Sequence, residues 1–180
     1  MKRLSFILIA LLYAGFSLAM GQTSESRCDS PEASQFDFWV GEWEMQSSRL
    51  IKAAGKEIWQ TSKASNTITK ELGSCVIMER FNGHPAVDFK GISVSVYDPA
   101  EGLWRQTWVD DWGGYMLFTG GMDGDKMILS REVEVDGQTV HQRMIFENIK
   151  ENSFDWRWEK SFDGGENYKP FWLLKYKRKD

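Results

Sequence analysis

His84 and His141 are the only histidines in this 180-residue sequence, which rules out a three-histidine zinc centre. No His/Cys/carboxylate cluster has ligand spacing either. One histidine can still hold a haem iron, and His141, on a strand-like segment, is the candidate for that cofactor; otherwise no cofactor is expected. His84 precedes Pro85 in a loop and reads as exposed. Glu79 is the carboxyl placed for acid–base work. Asp110 and Asp111 are adjacent on a strand, so they point to opposite faces and cannot flank one bond. Asp123-x-Asp125 begins like a calcium loop, but no later ligands follow. No Gly-x-Ser-x-Gly and no Cys-x-x-Cys occurs.

A binding reading uses other residues. Alternation places Trp104, Gln106, Trp108 and Asp110 on one side of their strand, and Trp156 with Trp158 on one side of another. His141, Arg143 and Ile145 oppose Gln142, Met144 and Phe146. Faces that mix aromatics with polar groups suit a cavity with apolar walls and a few polar anchors. The candidate pocket is Glu79, Gln106, Trp108, Asp110, Arg143, Trp156 and Trp158, taking a small hydrophobic or amphipathic molecule. Arg143 inside a barrel must be paired, since a bare buried charge is prohibitive. It forms an internal salt bridge with Glu79 or Asp110, or it grips an anionic head group.

These residues need strands to hold them. From Trp43 onward, period-two alternation and regularly spaced turn residues predict roughly ten strands and no sustained helix. Asp136-Gly137 is a type I′ hairpin signal. Short links force antiparallel neighbours, and so long a meander closes to remove its edges. The expected fold is all-β: a single antiparallel up-and-down barrel over residues 36–180, with no second domain. Ahead of it, Phe36, Phe38, Trp39 and Trp43 crowd together, and Trp39 with Trp43 are expected to plug one end.

Gly41-Glu42-Trp43 resembles the Gly-x-Trp of lipocalin-like (calycin) barrels. That resemblance implies a structural role in which Trp43 crosses the barrel floor under Arg178, or Lys177, of the last strand. The run Phe36–Trp43, Gly91-Ile92-Ser93 with Tyr97-Asp98, Trp104–Asp110 and Ser161–Gly165 together resemble the bacterial family DUF1579. The likeness covers nearly all of the chain after the leader and implies a lipocalin-like barrel with no established activity. Haem-binding nitrobindin barrels resemble it more distantly. Ser161-x-Asp163-x-Gly165-x-x-Tyr168 is similar to the Asp-box of sialidases, a hairpin-stabilising turn that is not catalytic.

Residues 1–21 read as a signal peptide: Lys2 and Arg3, an apolar core from Leu4 to Leu18, then small residues. The apolar run is shorter than the roughly 20 residues of a spanning helix, so no membrane insertion of the mature chain is expected. Residues 22–35 form a polar leader with a helical turn at 31–34. The chain carries −4, with 22 basic and 26 acidic residues; without residues 1–21 it is near −6, which disfavours nucleic acid and anionic membrane. An exported, periplasmic or extracellular protein with two cysteines points to one Cys28–Cys75 disulfide; the other reading is two buried thiols. A barrel that binds only through its outer face, including to a second copy, is the remaining alternative.

Overall fold

The computed structural model describes residues 28–180; the signal-peptide segment and the start of the leader lie outside the described residues. Two single 3-10 turns, Glu32–Ser34 and Asp37–Trp39, lead into ten strands: β1 Gly41–Ala53, β2 Lys56–Glu71, β3 Val76–Asn82, β4 Lys90–Asp98, β5 Leu103–Asp110, β6 Tyr115–Asp123, β7 Lys126–Val135, β8 Gln138–Lys150, β9 Ser153–Ser161 and β10 Lys169–Arg178. Each pairs antiparallel with the next, and β10 returns to β1, closing the barrel. Among the described residues every strand therefore has two neighbours, as the meander predicts.

Turn chemistry sets the register. Asp136 and Gly137 both adopt positive φ (52° and 77°), as a type I′ turn demands. Ala54 and Gly55 do the same between β1 and β2. Cys28 is bonded to Cys75, the residue just before β3, across 47 positions.

The barrel has a packed end and an open end. At the packed end the leader folds inward, and Phe36, Trp39, Trp43, Trp104, Phe146 and Phe154 are all at most 2% exposed. Phe36 meets Trp104 edge-on at 4.8 Å, and Trp43 meets Phe154 at 5.1 Å. Each such ring removes about 150–250 Å² from water, worth about 4–6 kcal/mol before ordering costs. Arg178 lies over Trp43, its Cζ 4.2 Å from the ring centre. It also donates to the carbonyls of Val40 (2.9 Å), Phe38 (3.4 Å) and Glu151 (3.1 Å). Gly41 sits beneath this guanidinium at φ 137°, where a Cβ would strike Nη1. Arg178→Ala removes the stacking and leaves three carbonyls without their donor. It is expected to cost about 2 kcal/mol, seen as a lower urea midpoint at unchanged m-value.

Candidate functional site

The inner wall follows from the register. Glu79 pairs with Ser93 and Ser93 with Trp108; Met144 pairs with Trp158 and Phe146 with Trp156. These residues, together with Gln106, face one lumen floored by Trp39. The cavity in the lumen is small, about 40 Å³, room for about three waters. Met116 and Met144, flexible thioethers on its wall, can widen it by changing rotamer.

The two sides of the lumen differ in chemistry. On β2–β5 the buried inner residues include Asn66, Glu79, Ser93, Ser95 and Gln106. Across from them stand Phe146, Trp156, Trp158 and Trp172. Glu79 accepts from Asn66 Nδ2 and from Ser93 Oγ, both at 2.6 Å. Asn66 Nδ2 also donates to the Tyr176 hydroxyl at 3.1 Å. Burial outweighs these two bonds and pushes the Glu79 carboxyl up to about 7. The same burial, with Glu79 beside it, raises the Tyr176 phenol well above its ordinary value. Near neutral pH Glu79 can therefore donate a proton to a guest or accept one.

Two indoles bring further donors. Trp158 Nε1–H is buried without a hydrogen-bond partner, and so is Trp39 Nε1–H; the latter lies near enough to influence the Tyr176 hydroxyl but not in bonding geometry. Both rings line the lumen. A buried donor left unpaired costs about 1–3 kcal/mol, so these groups favour an acceptor arriving in the cavity.

Five of the seven pocket residues expected from sequence line the lumen: Glu79, Gln106, Trp108, Trp156 and Trp158. Asp110 shares their face but acts at the mouth. Its Oδ2 accepts from Trp108 Nε1 at 2.8 Å, while Oδ1 takes the backbone amides of Gly114 (2.8 Å) and Trp112 (3.1 Å). It positions the Trp108 indole, for which Gly91 across the strand leaves room: a Cβ there would overlap the ring.

Arg143 requires a correction. It pairs in register with Glu159, on the strand face opposite Trp156 and Trp158, so it belongs to the outer wall. Its Nε donates to Glu159 at 2.8 Å, and Tyr168 covers its guanidinium at 3.7 Å. Arg157 bridges Glu159 and Glu147, and Lys126 joins Glu147. Neither Glu79 nor Asp110 is its partner. The 161–168 turn that brings Tyr168 here is held by Asp163, which accepts from the Ser161 hydroxyl (2.6 Å) and the Asn167 amide (2.9 Å). The Ser161 hydroxyl, then the Asn167 amides, hold that carboxylate well below the usual range.

His141 is also on the outer wall, its Nδ1 3.3 Å from Glu132, so it does not fit as an axial ligand for a haem in the lumen. Among the described residues, no group of three or more His, Cys, Asp or Glu is placed to hold a metal ion. No helix among them is long and apolar enough to cross a membrane.

Sequence reasoning passed over Arg49. Trp43, Met45, Ser47 and Arg49 alternate along β1, and Trp43 is under the floor, so Arg49 faces inward at the open end. That parity was available in the sequence. On the outer wall, Ile92, Val109 and Tyr115 are register neighbours on β4–β6 and form an exposed apolar strip with Leu117.

No protein-family model matches the sequence, and no curated protein does either.

Proposed function

We propose that this barrel binds a small apolar or amphipathic molecule in its lumen. The observation that carries this reading is the unpaired chemistry inside an aromatic cavity: two indole N–H groups without acceptors line the same lumen as a buried carboxyl that titrates near neutrality. A barrel filled only by core has no reason to retain such groups, because each costs more than an aliphatic replacement. The small enclosed room selects a narrow guest, a chain or single ring rather than a macrocycle.

The Cys28–Cys75 bridge favours a non-reducing compartment, and with the apolar N-terminal segment supports export to the periplasm or beyond. Membership in the DUF1579 family is part of the same proposal and rests on the sequence motifs around Trp43, Trp108 and Asp163.

Tryptophan emission tests the binding. A panel of fatty acids, isoprenoids and tetrapyrroles is expected to contain a narrow-chain member that shifts or quenches the emission at micromolar concentration. Met116→Trp, which fills the lumen, is expected to abolish that response while the protein stays folded. If no panel member perturbs the folded wild type, or the lumen-filled variant responds equally, the reading falls.

A further inference from the structure

We propose that the open end of the barrel is an anion gate, in which Arg49 receives the carboxylate of an amphipathic guest whose apolar part enters the lumen. This rests on the lumen-binding reading and adds the charge of the ligand to it.

The guanidinium of Arg49 is boxed by rings: Trp172 at 4.7 Å, Phe89 at 5.5 Å and Trp112 at 5.6 Å from its Cζ. Trp172 and Phe81 line both the small recess that holds Arg49 and the main lumen. A guest bound in one therefore touches the wall of the other. Among the described residues, no carboxylate lies within 4.0 Å of the Arg49 guanidinium and no side chain or carbonyl accepts a hydrogen bond from it. Asp110 acts on it at a distance, but both Asp110 oxygens are already engaged by Trp108, Trp112 and Gly114. Half-burial without a paired anion is a cost, and it lowers the Arg49 pKa. The planar fork of donors, held by stacking, is the geometry that takes a carboxylate bidentately.

A second cation stands on the same inner wall. Arg131 alternates with Met127 and Leu129 on β7, both fully buried. Its Nε donates to Gln142 at 2.9 Å, and its Cζ lies 5.2 Å from the Phe118 ring. Following the register, the inward-facing acids of the described strands are Glu79, deep in the lumen, and Asp110. The mouth is thus positive in a chain whose net charge is −4. A cationic inner mouth draws an anion toward the entrance. Arg131 adds to the positive potential of the mouth without replacing the Arg49 fork.

The test uses cis-parinaric acid, whose emission rises in an apolar site, and its uncharged methyl ester, each titrated into the full chain at low and high salt. The wild type is expected to bind the acid at least tenfold more tightly than the ester, with the gap closing as salt rises. Arg49→Gln is expected to weaken the acid about tenfold and leave the ester unchanged; Arg49→Lys, which keeps the charge but loses the fork, recovers part of the difference. Near-UV circular dichroism checks that each variant retains its packed aromatic end. Equal affinity for acid and ester, or an Arg49→Gln protein that still prefers the acid, overturns the gate and leaves the lumen reading standing. Binding of neither probe overturns the gate, and the ligand panel then decides the lumen reading.

Discussion

Raising the pH from 4.5 to 7 is expected to strip about 3 kcal/mol of stability from the wild-type protein through Glu79 alone, and Glu79→Gln is expected to abolish that loss. In the unfolded chain this carboxyl ionises at its ordinary value of 4.5; in the barrel, burial holds its proton until about 7. Below 4.5 both states are protonated, and the full stability is present. Between the two values the native state binds more protons than the unfolded one, so each rise in pH favours unfolding. Above 7 both are ionised, and the loss levels off at about 3 kcal/mol, 1.36 kcal/mol for each pH unit between the two midpoints. Glutamine keeps the shape and the bonds: its Oε1 accepts from Asn66 Nδ2, and its Nε2 donates to Ser93 Oγ. The two proteins should therefore be nearly equally stable at pH 4, and the variant more stable by about 3 kcal/mol at pH 8. Urea midpoints across that range decide it. Taking the difference between the two curves removes the titrations they share, and parallel curves would mean that Glu79 is not held protonated.

Alternation carried the sequence reading a long way, and its failures have physical causes. On β5 the contrast between Trp104, Gln106, Trp108 and the exposed Arg105 and Val109 marks the inner face. On β8 it does not. Ile145 is buried on the outer wall, between Ile128 and Arg157 in register, so both faces of β8 carry apolar residues. Arg143 then looks like an interior anchor, when its acceptor is Glu159 on the neighbouring outer face. Asn66, Ser93 and Ser95 were illegible for a related reason: serine and asparagine on an inner wall look like serine and asparagine on an outer one. The 3-10 turn at Asp37–Trp39 spans three residues, too short for any period, although its aromatic density did announce the plug. The hairpin at Ala54-Gly55 lacks the Asn-Gly or Asp-Gly signature, whereas Arg49 shares the parity of Trp43 and was legible on the strand.

Removing the Cys28–Cys75 bridge is expected to cost about 4 kcal/mol, the largest single effect on the fold. The bond closes a loop across 47 positions, and cutting it restores that much entropy to the unfolded chain. The native barrel has little reason to change. The leader that Cys28 anchors is still held by Arg178 at the Phe38 and Val40 carbonyls, by Trp43 Nε1 donating to the Trp39 carbonyl at 2.8 Å, and by Lys70 paired with Asp37 at 2.7 Å. Cys28→Ser with Cys75→Ser should therefore unfold at a much lower urea concentration while its near-UV spectrum, dominated by the packed indoles, stays as in the wild type. The bridge acts on the unfolded ensemble and Arg178 on native contacts. Their losses should then add to within about 0.5 kcal/mol when combined, even though both hold the same segment. A serine pair that costs under about 1 kcal/mol would show that the unbridged chain already keeps its leader near β3, and a near-UV spectrum lost along with the bond would show that the plug itself depends on it.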